Sequence, residues 1–215
     1  MRSARPRGTT SPGRRAPGAG GTTCRATARA PTRLWRFHKP RRVLTTRNAS
    51  GVPNAERRTL YDQLPPVLGR VMAVGHLDPM SEGLVLLTND GALARKLELP
   101  ATGWLRRYRV RANGQVSQEQ LDALKEGVEI DGVHYGPIEG TVDRAQGANV
   151  WLTLGLREGK NREVRKILGS LGLEVNRLIR ISFGPFQLLD LEEGAVERVK
   201  RRVLADLALR GQVRL

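Results

Sequence analysis

Three short stretches of the chain carry residue types that can do chemistry. In Gly75-His76-Leu77-Asp78-Pro79-Met80-Ser81-Glu82-Gly83, Asp78 stands directly before a proline. That position restricts it to extended or turn geometry and favours a carboxylate fixed at the start of a strand. To act as a nucleophile at neutral pH, a carboxylate must stay ionised in a partly dry site, which requires a cation beside it. The second stretch, Arg157-Glu158-Gly159-Lys160-Asn161-Arg162-Glu163-Val164-Arg165, is rich in cations. Asn161 is placed there to cap a helix, and Val164, Ile167, Leu168 and Leu171 form its apolar stripe, with Arg162, Arg165 and Lys166 on the opposite side. With Lys160 beside it, such a helix start suits a phosphate. In the third stretch, alternation puts Arg107, Arg109 and Arg111 on one face of a strand and Tyr108 and Val110 on the other. Spacing alone also fits plainer roles, an Asp that caps a turn and a solvated basic helix face. Gly159-Lys160 is not a P-loop, because Gly155 is one residue too close and Asn161 stands where a Ser or Thr is required.

The elements that must position these groups are legible in outline. Order begins at Leu34-Trp35-Arg36-Phe37, and Val43-Leu44-Thr45-Thr46 reads as a strand, followed by a polar loop from Arg47 to Thr59. The apolar run Gly83-Leu84-Val85-Leu86-Leu87 is a strand that ends in a turn at Asn89-Asp90-Gly91. Ser117-Gln118-Glu119-Gln120 has the capping-box pattern of a short helix ending at Gly127. Val128 to Tyr135 reads as a hairpin turning at Asp131-Gly132, and Val150, Leu152, Leu154 and Leu156 alternate as a half-buried strand. Val196, Val199, Val203 and Leu207 have helical spacing. Hairpin-like runs with few crossover helices favour an α+β fold with a mixed, largely antiparallel sheet.

Composition removes several function classes. The 215 residues include 37 Lys and Arg against 21 Asp and Glu, a formal charge of +16. Residues 1–55 hold 13 of the basic residues and no acid, leaving 24 basic against 21 acidic residues in 56–215. Residues 1–33 lack Val, Ile, Leu, Phe, Trp and Tyr, so they read as a disordered basic tail, with 34–215 as the folded domain. The tail has no apolar stretch for a signal peptide, and the same lack speaks against an amphipathic organelle leader, which leaves a cytoplasmic protein as the expectation. One cysteine, Cys24, and three histidines allow no intrachain disulfide and no four-ligand zinc site. No run approaches the roughly 18 apolar residues of a membrane helix.

His76-Leu77-Asp78-Pro79-Met80-Ser81-Glu82-Gly83-Leu84-Val85-Leu86-Leu87-Thr88-Asn89-Asp90-Gly91 resembles the catalytic motif of the RsuA/RluB/RluE/RluF group of ribosomal RNA pseudouridine synthases. Further segments match in order: His38-Lys39-Pro40 with Val43-Leu44-Thr45-Thr46, then Arg106-Arg107-Tyr108-Arg109-Val110, then Glu158 to Arg165, and finally Leu178-Ile179-Arg180 to Gly184-Pro185. The resemblance is greatest to the large-subunit synthase B branch and implies that group's mixed, largely antiparallel sheet with flanking helices. It implies isomerisation of a uridine in ribosomal RNA without cofactor or metal; a monomer is expected. Asp78 matches the catalytic aspartate, which attacks the sugar or assists formation of a glycal. Tyr108 matches the tyrosine that packs on the base and removes the C5 proton, and Arg165 matches the cation that pairs with the aspartate. Lys39, His76, Arg107, Lys160, Asn161 and Arg162 fall in the same motifs and are expected to contact RNA. His76 replaces the group's usual arginine, and Arg41-Arg42 replaces small residues after Lys-Pro. The first replacement also fits an RNA-binding relative that acts in ribosome assembly without catalysis. An S4-type RNA-binding domain, common before the catalytic domain in this group, is not expected in the 33-residue tail.

Overall fold

The computed structural model describes residues 30–47, 58–209 and 211. The basic tail over residues 1–29 and most of the polar loop lie outside them. The folded unit begins at Thr32. Composition put residues 32 and 33 in the tail, yet the Thr32 hydroxyl donates to Asp90 and the Arg33 N–H to Asn89.

The sheet is built around β3 (Glu82–Thr88), in which every residue is buried. This accounts for its unbroken apolar sequence, since a strand covered on both faces does not alternate. β1 (Leu34–Lys39) pairs antiparallel along one side of β3. The other side is shared: β9 (Glu174–Phe183) joins in parallel at Glu82 and Gly83, and β2 (Met72–Val74) pairs antiparallel at the far end. Beyond β9 come β4 (Arg106–Asn113), β8 (Asn149–Leu156) and β7 (Ile138–Gln146), all antiparallel. β10 (Phe186–Gln187) folds back on β9, and β11 (Val196–Arg198) flanks β1. The path is β11-β1-β3-β9-β4-β8-β7, a mixed sheet that is antiparallel except at β3–β9. The hairpin of β5 (Val128–Ile130) and β6 (Val133–Tyr135) stands apart, its turn formed by Asp131 and Gly132, both at positive φ.

Helices cover the sheet. α1 (Gly91–Glu98) and α4 (Arg201–Leu209) pack Leu93, Leu97, Leu204 and Leu207 against Leu34, Leu84 and Leu86. α2 (Gln118–Asp122), with the expected capping box at Ser117, and α3 (Glu163–Ser170) pack against Val110, Leu152 and Leu154. No helix among the described residues is long and apolar enough to cross a membrane.

Three expected elements differ. Val43–Thr46 is not a strand, since only a bridge from Leu44 to Thr59 forms. After Lys39 the chain turns away from β3 through Arg42, at φ 63, so no strand lies beside it. Asn89-Asp90-Gly91 is more than a turn, because the Asp90 carboxylate accepts from the N–H groups of Ala92 and Leu93 and starts α1. Val196 lies in β11 rather than in the last helix, which starts at Arg201. Pairing with β1 overrides its helical spacing.

Candidate active site

Asp78 sits between β2 and β3 in a turn closed by the Ser81 N–H donating to the Asp78 carbonyl at 3.0 Å, with Pro79 at the second position. Two contacts from the end of β1 hold this turn. The Arg42 N–H donates to the Pro79 carbonyl at 2.6 Å. Lys39 is 0 % exposed, and its ammonium donates to the carbonyls of Ser81 at 2.7 Å, Pro40 at 2.9 Å and Pro79 at 3.4 Å. Burial lowers its pKa to about 8, against the pull of Glu82 and Asp78. Expected at the RNA surface, Lys39 is instead an internal brace, since an ammonium spent on three carbonyls inside the protein cannot reach a phosphate.

The Asp78 carboxylate has a nitrogen-bearing side chain on each side, one of them the Arg162 guanidinium. Arg162 is 3.9 Å from Oδ2, and His76 Nε2 is 4.0 Å from Oδ1. Neither distance is a hydrogen bond, so the nearby nitrogens do not occupy the carboxylate's lone pairs. His76 Nδ1 lies 2.5 Å from the Thr45 hydroxyl, which aims Nε2 toward Asp78. Arg162 owes its position to a left-handed backbone, φ 52, at the residue before α3. The helix cap is therefore Arg162 and not Asn161. Glu163 accepts the Lys160 N–H in the manner of a capping-box acid, leaving Asn161 exposed.

Arg165 does not make the ion pair expected of it. Its guanidinium donates to the carbonyls of Val175 at 2.9 Å and Met80 at 3.3 Å, reaching the Asp78 turn through its backbone. Burial and then the charge of Arg162 lower its pKa, while Asp78 pulls it up. Among the described residues, the guanidinium within 4.0 Å of Asp78 belongs to Arg162.

These groups open onto one pocket of about 460 Å³ lined by Asp78, His76, Tyr108, Lys160, Asn161 and Arg162. Arg107 faces away from it on β4, and Lys39 and Arg165 stand behind the Asp78 turn. The Lys160 ammonium is held by Glu158 and the His134 carbonyl and lies over the Tyr135 ring.

Three pocket residues escaped the sequence reading. Arg106 is buried, donates to the carbonyls of Trp104 and Arg157, and stacks on Phe183. Arg180 is buried on β9 and donates to the Leu84 carbonyl at 2.7 Å. Glu163 is 4 % exposed, and burial together with the adjacent Glu158 pushes its pKa up to about 7. The signal was present: each is a charged residue at a position that alternation or helical spacing gives to an apolar face.

Comparison with known proteins identifies the family. The RNA pseudouridylate synthase family matches residues 33–170. An uncharacterised RNA pseudouridine synthase of Rickettsia felis is 41% identical over 172 residues, covering 80% of this chain and 72% of that protein. The ribosomal large subunit pseudouridine synthase B of Haemophilus influenzae is 41% identical over 160 residues, which are 73% of this chain and 43% of its own length. The chain thus spans less than half of that relative. A crystal structure of a pseudouridylate synthase superposes with a TM-score of 0.69 at 25% identity, covering 82% of this chain and 74% of the other.

Proposed function

The chain belongs to the RNA pseudouridylate synthase family, and from that premise we propose that it isomerises a uridine of large-subunit ribosomal RNA, with Asp78 as nucleophile. The observation that carries this reading is a carboxylate on a braced turn, flanked at 3.9 and 4.0 Å yet not locked by hydrogen bonds, in a pocket that also holds Tyr108. A uridine turned out of its helix fits such a pocket, its ring against Tyr108 and its phosphates near Arg162 and Asn161. Asp78 Oδ bonds to C1′ of the ribose as the N1–C1′ bond breaks and its electron pair leaves with the uracil. The freed base rotates, C5 bonds to C1′, and the carboxylate departs. Tyr108 is placed to take the C5 proton, while N1 gains one, so the product is an isomer and no co-reactant is consumed. Arg165 supports the Asp78 turn through Met80 and adds positive potential behind it. The protein acts as a monomer in the cytoplasm, where ribosomal RNA is made and modified.

The test is tritium release from ribosomal RNA labelled at uridine C5. Release by the wild-type chain that vanishes in Asp78→Asn, with RNA binding retained, supports the reading. No release from naked or assembled large-subunit RNA would overturn it in favour of an RNA-binding relative without catalysis.

A further inference from the structure

The basic strand face noted in the sequence is not used by the pocket. On β4, Arg107, Arg109 and Arg111 are exposed and point away from buried Val110 and Ala112. Register places them in a wider array. Arg111 lies opposite Arg177 of β9 on one side and Trp151 of β8 on the other, and Trp151 lies opposite Arg144 of β7. Trp151 is half-buried and holds two of these cations, with the Arg109 guanidinium 5.0 Å and the Arg144 guanidinium 6.0 Å from the ring centroid.

Charge on this face is unbalanced. Arg177 is paired with Glu82, and Asp143 accepts from the Thr153 hydroxyl. Among the described residues, none of Arg107, Arg109, Arg111 and Arg144 has a carboxylate within 4.0 Å. A guanidinium held against an indole is pre-oriented, with its N–H edge free for two oxygens of one phosphate and its outer face free for a base. Along β4 these side chains succeed one another at about 7 Å, a row rather than a point, which suits a chain of phosphates better than a single anion.

We propose that the open face of β9, β4, β8 and β7, centred on Arg109, Trp151 and Arg144, is a second RNA-contact surface that grips the backbone of the substrate RNA outside the target nucleotide. This rests on the reading of the chain as an enzyme acting on RNA. The two surfaces divide the work: the pocket selects and converts one uridine, and the sheet face supplies affinity that depends on salt and not on sequence.

The experiment uses the full chain and a large-subunit ribosomal RNA transcript, with binding measured by fluorescence anisotropy from about 50 to 200 mM salt. The double variant Arg109→Ser/Arg144→Ser is expected to weaken binding about 10-fold and to lower the slope of log K against log salt by about 1.5. Its kcat for tritium release at saturating RNA stays at the wild-type value. Arg109→Lys/Arg144→Lys keeps the charge and recovers most of the affinity. A control, Arg95→Ser/Arg202→Ser on exposed positions of α1 and α4, leaves binding and slope within about 2-fold of wild type. Unchanged affinity and slope in the first double variant, or an equal loss in the control, overturns the proposal. Failure of the catalytic reading appears differently, as absent tritium release from the wild-type chain, and leaves the binding comparison intact.

Discussion

Tyr108 and Arg180 are cross-strand partners on β4 and β9, and the buried Arg180 guanidinium, which donates to the Leu84 carbonyl, interacts electrostatically with Tyr108. No carboxylate pairs with this cation among the described residues. Burial accordingly lowers its pKa, while Tyr108 pulls it back. A guanidinium kept inside a protein against that cost fixes whatever it touches.

Arg180→Met removes the donor and keeps the volume. The Leu84 carbonyl loses a partner, which costs about 1–3 kcal/mol of stability. Tyr108 loses its charged cross-strand neighbour, so kcat for tritium release falls by about 10-fold or more while RNA affinity is retained. Unchanged kcat in a folded Arg180→Met protein would show that Tyr108 is held by packing alone.

Gly83 has no room for a side chain. It lies opposite Arg180 in the contact between β3 and β9 at φ 104, and a Cβ there would collide with the Arg180 carbonyl oxygen and come within 2.7 Å of the Arg180 nitrogen. Both neighbours are backbone and cannot swing aside. Gly83→Ala should cost more than about 3 kcal/mol in urea unfolding, and it should reduce activity because the Asp78 turn leads into this contact.

Lys39→Met separates a brace from an RNA contact. With the Ser81 and Pro40 carbonyls losing this donor and the Pro79 carbonyl keeping the Arg42 N–H, kcat should fall by about 10-fold and thermal stability should drop. The affinity for ribosomal RNA and its salt slope should not change. A lowered slope would restore the surface role that the motif suggested.

Stability should depend on pH through Glu163. Its folded pKa of about 7 lies above the ordinary 4.5, so the folded chain holds this proton more tightly than the unfolded chain does. The neutral form is the stable one: the contribution is fully present below about 4.5 and is lost as pH rises toward about 7. Glu163→Gln cannot ionise and still offers an oxygen to the Lys160 N–H. The stability of the variant relative to wild type should therefore rise between pH 5 and pH 8, by on the order of 2 kcal/mol. Parallel thermal melts of the two proteins across that range would refute the assignment.

Local interactions made much of this molecule readable in advance. The capping box at Ser117, the Asp131-Gly132 turn and the alternation of β4 and β8 each depend on residues a few positions apart. The one-dimensional pattern therefore determined them, and with them the α+β class. Asp78 was legible as a fixed carboxylate because its proline constrains the backbone directly.

What could not be read depends on contacts between distant segments. Val43–Thr46 has strand-forming residues but no neighbouring strand, and Val196 has helical spacing but pairs with β1. Lys39 becomes internal only because the end of β1 meets residues 79–81, some 40 positions away. Arg162 and Arg165 are three residues apart on one segment, and nothing local says which will face Asp78. A left-handed residue before α3 turns Arg162 to the carboxylate, and β9 and the Asp78 turn draw Arg165 to backbone carbonyls. Local pattern set most of the elements and marked residue types suited to the proposed chemistry. Which of them share a pocket was decided by the tertiary structure, because the parallel contact of β3 with β9 brings together groups about 100 residues apart.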